Sequence, residues 1–516
     1  MDEKDGKNSK NGWKITGLII HGFNRILSAV KLHIRRINKN REGKYSPGFI
    51  GLGAALLAAL LMVFMLFVPS YLGMSDDGSF SCVANPAGIY HMEDEKQNLY
   101  FNYYVREYLS LAPGDISPGG FTSHRLLIYL AKWLDRAFTG DSIFDLRFLA
   151  AIYGILFIPA MAMVVKQAAR RAETFSESIA VGLLGVVIFA DVSYITYFSS
   201  FYTETVMYIA ILYCVGAALA MQERKHGFTY LVIYTVSGIF MTAAERQYAL
   251  AGIFLGILGV RFIFIRKGPL WSVSCISSVL LMFLSAIISW SYIPSAYTQT
   301  SKYHAMTRGV LFESKNPEET LKEFGIDGSY SILTDTDSNE KYPLIDPENP
   351  VLQHGFYDRY NSAEIAYYYL RHPGAMLALL DISVKSAFDV RTGYSGNYEK
   401  SAGMPKMAKS LFWSAWSNFK TRSAPKTIGF VFLLLIAAIL LFNHRSLKIR
   451  RRDSPEKSIL LDVMTVIFFI GISQAMLTII KSGDAELSQH LFPLGITVDI
   501  LIYFCLSEVL HRLRII

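Results

Sequence analysis

The sequence predicts an all-α polytopic membrane protein with about ten transmembrane helices and two structured extracytoplasmic loops. Hydrophobic residues make up 52% of its 516 positions and charged residues only 18%, which leaves too few charges to cover a soluble surface. Residues 48–72 contain no charged side chain, and a helix of that length crosses a hydrocarbon core of about 30 Å. Because the run is longer than the roughly 7–15 residues of a signal-peptide core, it predicts a retained first span.

Nine further apolar runs of span length follow the first. They predict helices at residues 148–165, 179–198, 206–221, 228–244, 248–265, 270–293, 428–442, 459–480 and 491–510. Charged residues are almost absent from the middle of these runs, and Asp499 is the clear exception.

Lysine and arginine collect on one side of the predicted spans. They are dense in residues 1–47 and in four short connections, which read KQAARR, QERKHG, RKGP and NHRSLKIRRRD. The positive-inside rule therefore predicts a cell-membrane protein with both termini in the cytoplasm. Residues 1–47 form a basic amphipathic segment that is expected to lie on the inner leaflet. This bias and anionic lipid explain the net charge of +8 without a nucleic-acid partner.

This topology divides the remainder of the chain into three parts. Residues 48–293 hold spans one to seven and include an extracytoplasmic loop at 73–146. Residues 294–427 form an extracytoplasmic domain, and residues 428–516 hold spans eight to ten. The two long connections are too long to be simple links, so function is expected on the outer side.

Helical periodicity appears in both outer regions. In the first, residues 98–112 and 124–138 carry apolar side chains at intervals of three and four, which predicts two helices along the membrane surface. In the second, two helical patterns flank Pro373. Three of the four cysteines lie within spans and leave Cys82 unpaired, so no disulfide framework is predicted.

Asp76 and Asp77 stand just beyond the first span, in the stretch SYLGMSDDGSFSCVANPAGIYH. Adjacent residues point in different directions and Gly78 follows, so the pair is expected in a turn. One carboxylate can then face a cavity while the other holds the backbone. Capping of the next helix would explain the pair equally well, so a functional interpretation needs support from elsewhere in the chain.

That support comes from charges at the outer ends of other spans. Glu204 lies in an apolar, hydroxyl-rich surround, where an unpaired carboxylate is costly. Glu245 and Arg246 lie between spans five and six. Four more ionisable residues lie between spans nine and ten, namely Lys481, Asp484, Glu486 and His490.

The order of these features resembles the GT-C superfamily of membrane glycosyltransferases. The resemblance rests on one span followed by an acidic motif, then TSHRLLIYLAKWLDRAFTGDSIFDLRFLAAIYGILF, then YITYFSSFYTETVMYIAILY. More narrowly, GVLFESKNPEETLKEFGID and GDAELSQHLFPLGITVD are similar to bacterial hexose transferases of glycan biosynthesis. The resemblance covers most of the chain and implies a GT-C-like fold.

The resemblance also implies an activity. Such enzymes take a sugar from a polyprenyl-phosphate carrier in the outer leaflet and pass it to an extracytoplasmic glycan acceptor, with an acidic residue of the first loop as general base. Asp76 or Asp77 would be that base, and we favour Asp76. Glu204 and Arg147 match charged positions of the family, and His124 in the TSHRLL motif is assigned with them to substrate binding.

Binding of a polyprenyl phosphate requires cations beside an apolar groove, because this lipid is an anion on a long apolar tail. Four basic side chains are predicted at head-group depth, namely Arg147, Arg246, Lys481 and His490. No nucleotide cofactor is required. Whether a divalent metal assists, and whether a separate synthase and flippase supply the donor, stays open.

Two other classes of function remain. A flippase or other transporter of lipid-linked glycans would place ionisable residues or broken helices near the bilayer midplane, where only Asp499 lies. A non-catalytic assembly or receptor protein would leave the charges at the outer ends without a task. The sequence does not identify the sugar or the acceptor.

Overall fold

The computed structural model describes ten stretches of the chain. They are residues 46–92, 100–111, 121–223, 226–293, 299–338, 345–346, 349–390, 395–448, 459–485 and 487–513. Almost all of the predicted amphipathic segment 1–47 therefore lies outside the described residues. So do Glu486 and residues 449–453 of the basic connection NHRSLKIRRRD.

The first half of the chain folds into ten helices and a small sheet within the described residues. In chain order these are α1 (Pro47–Phe67), α2 (Phe80–Ala84), β1 (Ile89–Tyr90), β2 (Glu107–Ser110), α3 (Ser123–Thr139), β3 (Ile143–Asp145), α4 (Leu146–Ala169), α5 (Phe175–Phe189), α6 (Val192–Ile195), α7 (Glu204–Ala220), α8 (Gly227–Thr242), α9 (Ala249–Phe262) and α10 (Pro269–Tyr292).

The second half is helical wherever it has regular structure in the described ranges. It contains α11 (Gln299–His304), α12 (Pro317–Glu323), α13 (Pro350–Gly355), α14 (Ser362–Arg371), α15 (Pro373–Phe388), α16 (Ala415–Arg422), α17 (Ile428–Lys448), α18 (Ile459–Ser482), α19 (Leu487–His490) and α20 (Phe492–Leu513). The two helical patterns predicted around Pro373 are confirmed as α14 and α15.

The helices that could cross a membrane fall into three groups among the described residues. Six are long and apolar enough by themselves, namely α1, α4, Arg246–Ile265 (which contains α9), α10, α18 and α20. The pair α5 and α6 passes the same test only as a bent unit, and α7, α8 and Ile428–Phe442 of α17 are shorter apolar helices. Each predicted run coincides with one of these, and the chain is a membrane protein, but the total of ten spans stays a prediction.

The predicted span at residues 179–198 does not form one straight helix, because the chain bends by 48° between α5 and α6. Asp191 causes the break. Its Oδ1 accepts a hydrogen bond from the Ser193 amide at 2.9 Å, and its Oδ2 accepts one from the Ser417 amide at 3.0 Å. A buried carboxylate that caps two helix starts is satisfied only if α5 has already ended.

The helix α7 occupies the centre of the bundle. Every one of its residues except Tyr213 is buried, and it packs against α4 and α8. At 17 residues it is only about 26 Å long. The consequence is that Glu204, its first residue, begins a helix that has little contact with lipid.

The first of the two predicted surface helices is wrong. Residues 107–110 instead form β2, the middle strand of an antiparallel sheet in the order β1-β2-β3. Tyr108 pairs with Phe144 across this sheet, and both rings pack on Phe201, with ring centroids 5.2 and 6.1 Å away. These long-range contacts outweigh the local helical pattern. The second surface element is confirmed as the helix α3, which Thr122 caps at its start.

Residues 395–398 return from the second long connection to the first. The Gly73 amide donates to the Asn397 carbonyl at 3.0 Å, and the Ser75 amide donates to the Gly396 carbonyl at 3.1 Å. The Gly396 amide donates to the Phe101 carbonyl at 2.7 Å. The backbone just before Asp76 is therefore held by a segment more than 300 positions away in the chain.

This junction predicts that Gly396→Ala destabilises the protein. A Cβ at Gly396 would lie 2.1 Å from the backbone oxygen of Asn102, and a rigid backbone can yield only by moving the paired segments apart. We expect a loss of about 1–3 kcal/mol in the free energy of unfolding, measured by thermal unfolding of the purified protein. Gly374→Ala in α15 is the control, because a Cβ there meets nothing within 4 Å. Equal melting temperatures for both variants would contradict the prediction.

Candidate active site

The acidic pair lies at the end of the bundle where α1 ends and α4 and α7 begin, which we call the loop face. Asp76 is 2% exposed. Its Oδ1 accepts hydrogen bonds from the Gly78 amide at 2.6 Å and the Phe80 amide at 3.2 Å, and its Oδ2 lies 2.9 Å from Nε2 of His91. Both oxygens are thus engaged, and this carboxylate organises the turn that leads into α2.

Asp77 has a different environment, because it is only partly buried. Its Oδ1 accepts hydrogen bonds from the amide and the hydroxyl of Ser79 at 2.9 and 2.6 Å, and the hydroxyl of Tyr202, which donates to the Ser75 carbonyl at 3.0 Å, lies near the carboxylate. Burial raises the pKa of the Asp77 carboxyl above its usual range, and the negative charge of Asp76 adds to the rise, while the hydrogen bonds from Ser79 and the hydroxyl of Tyr202 oppose it. A carboxylate with a raised pKa is a stronger proton acceptor.

A second carboxylate, Glu204, lies within electrostatic range of Asp77 and of a third, Glu245. Glu204 is 7% exposed at the start of α7. Glu245 follows α8, and burial raises the pKa of its carboxyl while Lys481 opposes the shift. The sequence places these residues in three separate connections, and the fold brings them together into one group. We call Asp77, Glu204 and Glu245 the acidic cluster.

Lys481, in the last turn of α18, and His490, in the connection between α18 and α20, lie beside the acidic cluster. Lys481 acts electrostatically on Glu245 and on His490. Burial, with a smaller contribution from Lys481, lowers the pKa of His490 to about 4. His490 is therefore neutral at neutral pH and offers a hydrogen bond rather than the positive charge that its sequence position suggested.

Asp484, from the same connection, faces away from the cluster. Its two oxygens accept hydrogen bonds from Nε and Nη2 of Arg308 at 2.7 and 2.9 Å. Arg308 also reaches Asp335 at 3.0 Å. This bidentate pair fastens the connection that follows Lys481 to the π-helical turn at Ala305–Val310.

Two predicted phosphate-binding arginines are engaged by other partners. The guanidinium group of Arg147 pairs with Asp145 at 2.6 and 2.9 Å and lies over the ring of Tyr71, 5.1 Å from its centroid. The guanidinium group of Arg246 lies over the ring of Trp290 at 4.9 Å. Both guanidinium groups therefore contact partners outside the acidic cluster.

An apolar groove runs along α7 from Val206, two residues after Glu204. Its cavity of about 260 Å³ is bounded by α3, α4, α7 and α8 and is lined by Leu127, Tyr153, Leu156, Val206, Ile209, Ala210, Tyr213, Val236, Ser237 and Phe240. The four lining residues of α7 recur at the spacing of a single helix face, over about 10 Å of the axis. Val236 on its rim is exposed, so the groove opens sideways toward the membrane.

His124 lies near the upper end of this groove. It is one turn before Leu127 on α3, and its ring centroid is 6.5 Å from that of Tyr153. Burial lowers the pKa of His124 to about 3, so the ring is neutral. Within the described part of the chain, Nε2 of His124 and the hydroxyl of Tyr153 are buried without a hydrogen-bond partner, and both could bind a polar group that enters here.

Sequence reasoning missed two residues of the site. His91 belongs to the same stretch as Asp76, but nothing in its spacing shows that the chain folds back to join them. Tyr202 is one of several hydroxyl-bearing residues before Glu204, and only the structure distinguishes it. No three His, Cys, Asp or Glu side chains are grouped closely enough to hold a metal ion in the described residues.

Comparisons with known proteins place the chain in context. A family model described as the YfdI N-terminal transmembrane domain matches residues 35–516. Among solved structures, the apo oligosaccharyltransferase of Archaeoglobus fulgidus is similar with a TM-score of 0.38 and 12% identity, over 90% of this chain and 51% of that one. The oligosaccharyltransferase AglB from the same organism, in complex with an inhibitory peptide and a dolichol-phosphate, gives 0.37 and 12%, over 90% and 51%. The chain spans about half the length of these enzymes, and no curated protein matches significantly.

Proposed function

The chain belongs to the family of the YfdI N-terminal transmembrane domain, a GT-C-like glycosyltransferase family, and from this premise we propose that it transfers a hexose from a polyprenyl-phosphate carrier to an extracytoplasmic acceptor. The acceptor would be a cell-wall or surface glycan. In this proposal the loop face is extracytoplasmic, as the distribution of Lys and Arg predicts.

The observation that carries the proposal is the junction of the acidic cluster with the apolar groove. Tyr202 lies beside Asp77, Glu204 follows Tyr202 by two residues, and Val206 lines the groove. A carrier whose tail occupied the groove would therefore present its phosphate and sugar at the depth of the three carboxylates. His124 and Tyr153 supply unpaired polar atoms near this end, where the tail gives way to the head group.

The reaction that suits this arrangement is a single displacement at the anomeric carbon. An ionised Asp77 takes the proton of the acceptor hydroxyl while the acceptor oxygen forms its bond to the anomeric carbon. The bond from that carbon to the phosphate oxygen breaks, and the electron pair leaves with the polyprenyl phosphate. One displacement inverts the configuration of the anomeric carbon.

The contacts favour Asp77 over Asp76 as the base. Asp76 is 2% exposed and its oxygens are already bonded to two amides and His91, so an acceptor hydroxyl would have to displace a partner. Asp77 is partly exposed and joins the acidic cluster. Asp76 would then position the turn that carries Asp77.

Lys481 is the cation that we assign to the departing phosphate, since it lies beside Glu245 and a fixed ammonium group stabilises the charge that develops there. Arg147 and Arg246 would bind the head-group region at the edges of the site. His490, being neutral, would donate or accept a hydrogen bond. A separate synthase and flippase would deliver the lipid-linked donor, and the residues present do not require a nucleotide.

One residue, Asp499, favours the transporter alternative. The contacts of Asp499 weaken this alternative. Asp499 forms an ion pair with Lys420 at 2.9 Å and accepts hydrogen bonds from Trp416 and Tyr194. A carboxylate that is neutralised and bonded in this way is a structural link between helices rather than an open site for an ion or a proton.

The decisive experiment is a lipid analysis of cells that lack this protein. We expect a polyprenyl-phosphate sugar to accumulate and to be accessible to a membrane-impermeant oxidant from outside, because the donor is delivered but not consumed. The wild-type gene should remove the accumulated lipid, and the Asp77→Asn variant should not. Accumulation of a lipid that is shielded from the oxidant would instead identify a flippase, and no accumulation would contradict both functions.

A further inference from the structure

We propose that residues 403–413, between the turn Lys400–Ala402 and α16, form a lipid-binding loop whose apolar side chains enter the leaflet on the loop face. We call this segment the anchor loop. It contributes four exposed large apolar side chains, namely Met404, Met407, Leu411 and Phe412. Leu411 is the most open of them, at 71% exposed. Such a concentration of apolar surface on one short loop is typical of a contact with lipid or with another protein.

The depth of the anchor loop identifies lipid as its partner. The ring of Phe412 packs on that of Phe64 with their centroids 4.8 Å apart. Phe64 lies on α1 three residues before its end, which is about 5 Å below that end along the axis. Phe64 itself is exposed, as are Leu60 and Val63 on the same helix. The apolar surface of the loop is therefore continuous with a helix surface that faces the hydrocarbon.

A second contact fixes the same depth from a different helix. Nε1 of Trp413 donates a hydrogen bond to the Val186 carbonyl at 3.4 Å, and Val186 lies three residues before the end of α5. The Val192 amide donates to the Trp413 carbonyl at 3.1 Å. The end of the loop is thus bound at the break between α5 and α6. This position is deeper in the bundle than the ends of the spans.

The backbone of the anchor loop is unusual at both ends of its apolar stretch. Met407 and Trp413 adopt left-handed conformations, with φ of 59° and 50°, which are costly for residues other than glycine. The contacts of Trp413 with α5 and α6 hold one of these turns. The Met407 amide donates to the Asn102 carbonyl at 2.9 Å, which holds the other. Leu411 and Phe412 lie between two fixed points.

The anchor loop also affects the position of Asp76 and Asp77. It follows residues 395–398, which pair with the backbone before Asp76. Insertion of the loop into lipid would therefore fix the height of the acidic pair relative to the membrane surface. This role does not depend on the chemistry that the acidic cluster performs, so it goes beyond the proposed function.

The test is site-specific labelling of the full-length protein in lipid nanodiscs. Cys82 is exposed and the other three cysteines are buried, so Cys82→Ser provides a background without an accessible thiol. An environment-sensitive fluorophore is attached to Leu411→Cys and, as the matched control, to Ile332→Cys. Ile332 is similarly exposed, at 63%, but lies in the turn Gly328–Leu333, away from the spans. Quenching is measured with brominated acyl chains and with aqueous iodide.

We expect lipid bromine to quench the label at position 411 several-fold more than the label at 332, and iodide to show the reverse order. Equal iodide quenching at the two positions, without bromine quenching at 411, would overturn the proposal. Protection of position 411 from both quenchers would mean that a protein surface covers the loop, and would overturn it as well. Neither measurement needs sugar transfer, so failure here is distinguishable from failure of the proposed function.

Discussion

Asp77→Asn is expected to lower the rate of sugar transfer by about 10²–10⁴, the usual contribution of a general base. Asparagine keeps the size of the side chain and can still accept the hydrogen bonds from Ser79, but it cannot take a proton from the acceptor. The melting temperature should therefore change little. The measurement is transfer from a synthetic polyprenyl-phosphate sugar by the purified protein, followed as release of the lipid phosphate.

The pH dependence of transfer provides an independent check on the same residue. Transfer requires the ionised carboxylate, so it is lost as the pH falls through the pKa of Asp77. Since burial raises that pKa, the loss should begin at a higher pH than an ordinary aspartate, at about 3.9, would give. The residual activity of Asp77→Asn should not show this acid limb.

Asp76→Asn is the matched comparison for both measurements. It retains an acceptor for the Gly78 and Phe80 amides but loses the carboxylate contact with Nε2 of His91, so we expect a lower melting temperature and a smaller loss of transfer than at Asp77. A larger loss at Asp76, with the acid limb preserved in Asp77→Asn, would reverse the two roles. Normal transfer in both single variants and in the double variant would contradict the transferase assignment of this loop.

Lys420→Met is expected to cost about 3–5 kcal/mol of folding free energy, because it leaves the buried carboxylate of Asp499 without a counter-charge. The ammonium and carboxylate groups are 2.9 Å apart, and their side chains are 1% and 0% exposed. Adding Asp499→Asn to Lys420→Met removes the unpaired charge and should recover much of the loss. Chemical denaturation of the purified variants, analysed as a double-mutant cycle, measures the coupling.

The control for this prediction is Lys426→Met. Lys426 pairs with Asp389 at the same distance, 2.9 Å, but these side chains are 26% and 43% exposed. Exposed pairs are worth about 0–1 kcal/mol, so this variant should be near wild type. Similar losses for Lys420→Met and Lys426→Met would mean that burial does not set the strength of the Lys420–Asp499 pair.

Local patterns in the sequence predicted most of the helices. Every predicted span coincides with a helix because an apolar run of that length has few alternatives in a membrane, and α3, α14 and α15 follow from their periodicity. The failures have a common cause. The bend at Asp191 depends on Ser417, and the strand β2 depends on Phe144 and Phe201, so each is decided by a residue distant in the chain.

The residues of the candidate site also fall into those that the sequence could predict and those that it could not. Asp77, Glu204 and Lys481 could be selected from the sequence because ionisable groups at the ends of apolar runs are conspicuous. Their partners could not be selected. His91 and Tyr202 look like ordinary polar residues, and the neutrality of His490 follows from burial, which the sequence does not display. Asp499 was the one residue consistent with transport, and only the structure shows that it pairs with Lys420.

The pairing of residues 395–398 with the backbone before Asp76 has a consequence for biosynthesis. The side-chain amide of Asn397 binds the Gly73 carbonyl across 324 positions of sequence. At the usual elongation rate of about 5–20 residues per second, the acidic pair leaves the ribosome roughly 15–65 s before this partner exists. The first seven predicted spans are therefore inserted before residues 395–398, which pair with the backbone of the acidic turn, have been synthesised. The proposed activity would then be acquired late in translation, and a polypeptide released before residue 398 would be inserted in the membrane but inactive.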